Sequence, residues 1–111
     1  MTETCLGKIN KVYFGFGGYQ DCQIGISFSL ASKSSGVHDF WGTWSVVLVG
    51  KDKPQDWHEA RRKVLVELVE RIEQTLKEAK KNCVSDLQGV PVEIVYVDRV
   101  LASWRVLTEV L

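Results

Sequence analysis

Cys22-Gln23-Ile24-Gly25-Ile26-Ser27-Phe28-Ser29-Leu30 is the stretch that decides the fold of this chain. Cys22, Ile24, Ile26, Phe28 and Leu30 alternate with Gln23, Gly25, Ser27 and Ser29, a period of two that makes a β-strand with one buried face. Its other face carries small side chains and one glutamine, so something bulky can lie across it. Upstream, residues 8–16 read as a first strand, with Ile9, Val12, Tyr13, Phe14 and Phe16 in a β-rich stretch. Gly15-Phe16-Gly17-Gly18-Tyr19-Gln20-Asp21 then turns the chain, with glycines supplying left-handed backbone. Downstream, residues 31–36 read as a Ser/Lys/Gly loop, followed by the cluster His38-Asp39-Phe40-Trp41-Gly42-Thr43-Trp44. A third strand is expected from about Thr43 to Val49. Val46-Val47-Leu48-Val49 is apolar on both faces, which predicts a central position in the sheet.

From Asp56 to about Lys81 the period changes. Ala60, Val64, Leu68, Ile72 and Leu76 recur every fourth residue, and Leu65, Val69 and Ala79 widen the stripe into one apolar helix face. Asp56 and Glu59 start the helix as a near capping box, Lys77, Lys80 and Lys81 suit its carboxyl end, and Asn82 can cap it. Two more strands follow a short linker, at roughly 90–97 and 100–110, turning near Asp98-Arg99. The reading is one domain over residues 1–111, of the α+β class: about five mainly antiparallel strands in the order β-β-β-α-β-β, with one long amphipathic helix on one face. One helix cannot cover both faces. An uncovered face carrying some of Tyr13, Trp41, Trp44, Tyr96 and Trp104 then calls for company, and self-association as a homodimer or larger is the simplest form of it.

Composition narrows the function classes. Fourteen basic and 14 acidic side chains give a formal charge of zero, without the electrostatic footprint of a dedicated nucleic-acid binder. No segment approaches the roughly 18–20 continuous apolar residues that cross a bilayer, and Met1-Thr2-Glu3-Thr4-Cys5 lacks the features of a signal peptide. Cys5, Cys22 and Cys83 are odd in number and without metal spacing, which argues for a reduced, cytoplasmic protein without a disulfide framework.

Two places combine backbone freedom with large rings, the composition of a gripping surface. Tyr19, Gln20 and Asp21 follow the first glycines. They are not a dinucleotide loop, because G-x-G-G leads into a strand and no Walker lysine is present. Asp39, Trp41 and Trp44 form the second place, read equally as a corner filling the core, with Phe40 and Trp44 buried and Asp39 bonding the backbone. Trp41 and Trp44 lie three apart and point to opposite faces of an extended run. Ser103-Trp104-Arg105 sets an arginine in an apolar strand. It is either paired to Glu93 or Glu109, or free to hold a phosphate or carboxylate bidentately. His58-Glu59 lacks the second histidine of a zinc protease, since Arg62 stands there. His38 beside Asp39 is the one pair suited to acid–base work, and no nucleophile–base–orienter set, metal group or cofactor motif accompanies it.

Phe14-Gly15-Phe16-Gly17-Gly18-Tyr19-Gln20-Asp21, Asp39-Phe40-Trp41-Gly42 and Ser103-Trp104-Arg105-Val106-Leu107-Thr108-Glu109-Val110 together resemble small proteins encoded by bacteriophages and prophages. That resemblance covers nearly the whole chain and implies context rather than a reaction. Small phage accessory proteins are often inhibitors of host defence, which cover a bacterial protein or sequester a nucleotide signal. The expectation is therefore a non-enzymatic, anti-defence binding protein in the cytoplasm of a bacterial host. Tyr19, Gln20, Asp21, Asp39, Trp41, Trp44, Trp104 and Arg105 would hold a nucleotide-derived ligand at a subunit boundary. The alternatives are an inhibitor of a host defence enzyme by protein contact, and a small hydrolase using His38 and Asp39.

Overall fold

The computed structural model describes residues 1–33 and 35–111, every residue except Ser34. Strands β1 (Thr2–Gly17), β2 (Gln23–Ser32) and β3 (Gly36–Trp44) precede a short helix, α1 (Val46–Val49), and a long one, α2 (Gln55–Ala79); β4 (Pro91–Val97) and β5 (Val100–Val106) follow. All pairings are antiparallel, in the spatial order β3-β2-β1-β4-β5. The expected α+β order and the single long helix hold. The alternation in β2 does what its period dictates: Ile26, Phe28 and Leu30 are buried on the inner face.

β1 is longer than the expected 8–16 and belongs to two halves of the sheet. Its first residues, Thr2–Lys8, pair with β4, whereas Gly7–Gly17 pair with β2, with a bulge between Ile9 and Lys11. A bulge bends and twists the strand that carries it, and the sheet curls until its two edge strands meet. Trp41 of β3 and Trp104 of β5 stack with centroids 5.4 Å apart, although three strands separate them in the sheet. The result is a partly open five-stranded barrel. α2 lies along the open seam, touching both β3 and β5.

Several sequence expectations change. Val46–Val49 is not a central strand but one helical turn, and β3 ends at Trp44 as an edge strand. The Ser45 hydroxyl accepts from the Leu48 amide at 3.2 Å and Gly50 closes the turn, so a cap overrides the β-propensity of three valines. The His38–Trp44 cluster, expected before the third strand, is the strand itself. The expected 31–36 loop shortens, because Ala31 and Ser32 belong to β2 and Gly36 to β3; Ser34 lies outside the described residues. Trp41 and Trp104 sit on the helix-covered side rather than on an uncovered face, and Tyr96 packs against the core beside them. On α2 the buried face is Leu65, Leu68, Ile72, Thr75, Leu76 and Ala79, while Ala60 and Val69 are exposed. Lys80 in left-handed backbone, not Asn82, ends the helix. β5 stops at Val106, and Thr108–Val110 forms a 3-10 turn. The hairpin at Asp98-Arg99 is as expected, with both residues at positive φ.

Gly15, Gly25 and Gly42 stand in one register row across β1, β2 and β3. A methyl on Gly25 would strike the Trp41 carbonyl, and one on Gly42 would meet the Phe40 ring at 2.6 Å. A methyl on Gly17 would lie 2.8 Å from the same ring, although Phe40 sits two strands away. The sheet creases along this row toward Phe40, and only glycine permits so close an approach. Phe14 and Phe16 flank Gly15 and project from the inner face of β1, the face of their partners Ile26 and Ile24. They are 56% and 52% exposed.

Gly25→Ala should therefore cost about 1–3 kcal/mol by overpacking. At Gly15 an added methyl meets only a Tyr13 ring carbon at 3.9 Å, and Gly15→Ala should stay within about 0.5 kcal/mol. Urea unfolding of both variants checks the contrast, and equal losses would contradict the crease.

Candidate functional site

The sequence-derived residues separate into two places. Asp39, Trp41 and Trp104 meet at the seam. The Trp41 and Trp104 indole N–H groups both donate to Asp39 Oδ2, at 2.8 and 2.7 Å. Phe28 packs against both rings, with centroids 4.6 and 4.8 Å away. The Arg71 guanidinium lies 3.8 Å from the Trp41 ring centroid. Trp41 is 8% exposed, and with rings in mutual contact no base or other flat group fits between the indoles. Asp39 thus bonds side chains of two strands, not the backbone as expected, and Trp41 rather than Phe40 or Trp44 is the buried ring.

Arg105 is next in sequence to this cluster but is engaged elsewhere. Its Nε donates to Glu93 at 3.1 Å, and its two terminal nitrogens donate to Glu109 at 3.0 and 2.9 Å. These bonds raise the Arg105 pKa further, and the Arg105 bonds hold the Glu109 carboxyl down at about 2. The guanidinium is therefore committed to its own chain. The acid–base pair is parted by the pleat: neighbouring residues in β3 project from opposite faces, so His38 lies away from Asp39, whose Oδ2 already carries two donors.

The second place is the far end of the sheet. Gly18 at φ 68° begins the turn, and Gln20 and Asp21 themselves adopt left-handed backbone at φ 52° and 56°. Gly15 and Gly17 lie inside β1 rather than in the turn. The turn throws Tyr19 outward, 66% exposed, against the edge of Trp44, with centroids 6.3 Å apart. The two glycine-and-aromatic clusters therefore do converge, through Tyr19 with Trp44 and Gly17 with Phe40. Val47 and Leu48 of α1 add exposed apolar surface next along the chain.

A groove runs from this end along the seam between β3 and α2. Gly42, Thr43, Trp44, Trp57, Arg61 and Val64 enclose about 330 Å³, and Arg61 Nε donates to the Trp44 carbonyl at 2.6 Å. Farther along, Trp41, Arg71, Gln74, Glu78, Trp104 and Arg105 border a cleft of about 160 Å³. Sequence reasoning passed over Trp57, Arg61 and Arg71. Arg71 did carry a signal, as the lone basic residue between Lys63 and Lys77 on the margin of the apolar stripe. Among the described residues no three His, Cys, Asp or Glu side chains gather to hold a metal, and no helix is long and apolar enough to cross a membrane.

No protein-family model matches the chain, and no curated protein or solved structure matches it.

The Arg105–Glu109 pair makes a pH prediction. Because folding depresses the Glu109 pKa from 4.5 to about 2, the stabilisation is complete above the unfolded value and disappears as pH falls through the folded one. Wild type should melt above Glu109→Gln at pH 6, by a modest margin that salt reduces. The gap should close between about pH 5 and pH 2; a gap constant over that range would contradict the pairing.

Proposed function

We propose that this is a non-enzymatic binding protein that acts by contact with another protein, through the aromatic end where Tyr19 and Trp44 meet. The observation that carries this reading is the concentration of exposed apolar side chains there: Tyr19, Val47 and Leu48 are each more than half exposed, and Trp44 is partly so. Contiguous apolar surface of this kind marks interaction sites, and tyrosine and tryptophan are the side chains that most often dominate binding energy. Gln20 and Asp21 support it. Their left-handed backbone turns the chain from β1 into β2 and holds Tyr19 at the rim beside Trp44. The neighbouring grooves are open clefts rather than enclosed pockets, which favours a broad contact over burial of a small molecule.

The resemblance to phage-encoded proteins makes a bacterial host protein, in particular a defence enzyme, the class of partner we favour. A second reading, sequestration of a nucleotide-derived signal, has one observation of its own. Arg71 forms no ion pair among the described residues and stands over Trp41 at the mouth of the smaller cleft, where its guanidinium is placed to meet a phosphate. In that reading Arg71 takes the part expected of Arg105.

The two separate experimentally. Tagged protein in bacterial lysate should retain a stoichiometric partner. The pair of changes Tyr19→Ala and Trp44→Ala should weaken that binding at least about tenfold with little change in melting temperature, while Arg71→Ala retains it. Capture indifferent to Tyr19 and Trp44 would contradict the first reading, and a nucleotide released on heating wild type but not Arg71→Ala would favour the second.

A further inference from the structure

The outer half of β1 has a partner on one side only. Beyond Lys8 no strand among the described residues continues β4 alongside it; Ile9 makes the last backbone hydrogen bonds on that side, donating to the Val90 carbonyl at 2.9 Å and accepting from the Gly89 amide at 2.7 Å, and the turn Val84–Leu87 packs near β1 there. Those bonds fix which way each later residue faces. Ile9 turns its amide and carbonyl away from β2, and its partner Leu30 therefore does not bond it. Ser29 then bonds back to Lys11 across the bulge. From there the alternation of an antiparallel ladder directs the amides and carbonyls of Val12, Phe14 and Phe16 to the open side. The edge Val12-Tyr13-Phe14-Gly15-Phe16-Gly17 contains no charge and no proline. Natural sheets rarely leave such an edge bare.

We propose that a second copy of this chain completes this edge, pairing antiparallel with β1 about a two-fold axis through Phe14. The proposal is independent of the Tyr19–Trp44 surface and goes beyond it. In this register Phe14 faces Phe14 of the second copy and Val12 faces its Phe16, and these are the residues whose backbone groups are open. Each such pair exchanges two bonds, about six in all. On the inner face the side chains form one apolar row across both copies, covering Phe14 and Phe16. On the other face Tyr13 falls opposite Gly15 and Lys11 opposite Gly17, so a large side chain meets a bare position each time. An aromatic laid over a cross-strand glycine is a stabilising pair, and no like charges face one another. The zero net charge of the chain leaves no long-range repulsion to overcome. A shift by one residue would set Phe14 opposite Tyr13 or Gly15, whose amides and carbonyls are already directed to β2, which excludes it.

Sedimentation over a concentration series should give twice the 12.6 kDa chain mass. Phe14→Asp sets two carboxylates against each other at the axis. It should weaken dimerisation at least tenfold with an unchanged circular dichroism spectrum, since the side chain it replaces is more than half exposed. Phe14→Cys provides a second readout should that variant fold poorly. Bond-exchanging residues on an axis lie about 5.5 Å apart at Cα, within disulfide reach. Mild oxidation should therefore cross-link Phe14→Cys and leave Leu6→Cys, on the covered half of β1, at the wild-type level. A wild-type monomer throughout the series, a dimer that survives Phe14→Asp, or equal cross-linking through Leu6→Cys would overturn the proposal. Partner capture through Tyr19 and Trp44, measured on the Phe14→Asp monomer, reads the functional proposal separately.

Discussion

One carboxylate holds the two ends of this sheet together. β3 and β5 are the first and last strands in spatial order, and left alone they would be open edges. Asp39 accepts from an indole on each. Hydrogen bonds to a charged group are worth about 1.5–3 kcal/mol apiece, and the stacked rings add about 0.5–1.5 kcal/mol beyond their burial. The same contact sets the path of α2. The helix can lie on the seam because the seam is narrow, and Leu68 and Arg71 pack where Trp41 closes it. Polar specificity and apolar burial thus act at a single point.

Closure at one end has a counterpart at the other. The bulge after Ile9 and the row of Gly15, Gly25 and Gly42 let the sheet curl and then crease. At the creased end Phe14 and Phe16 stay more than half exposed, although Phe14 pairs with the fully buried Ile26. The molecule is correspondingly long, 46 × 33 × 19 Å with a radius of gyration of 15.4 Å, against roughly 13 Å for a compact domain of this length. The extended end carries the exposed rings. In this account the seam is the structural anchor and the far end is the surface available to partners.

Much of the architecture was legible in the sequence because it follows from local period. The alternation of Ile24, Ile26, Phe28 and Leu30 and the fourfold spacing of Leu68, Ile72 and Leu76 each describe one element packed against one core. The meeting of Trp41 with Trp104 was not legible. Sixty-three positions separate them, and which edges of a curled sheet touch depends on bulge and crease together. Val46–Val49 misled because β-branched composition was weighed without the capping Ser45 and the terminal Gly50, which settle a four-residue segment more firmly than propensity does. Arg105 shows the opposite balance. Its neighbours Glu93 and Glu109 were visible as alternatives, and local charge pairing decided between them. The tip was half legible: glycines marked the turn, yet the strain fell on Gln20 and Asp21.

The claim that Asp39 locks the sheet edges together is tested most directly by the unfolding free energy of Asp39→Ala. Removing the carboxylate leaves two indole N–H groups at a largely covered seam without their acceptor. The account predicts a loss of about 2–4 kcal/mol, with both tryptophan side chains becoming more accessible to a quencher. A loss below about 0.5 kcal/mol, the range of an ordinary surface substitution, would contradict it.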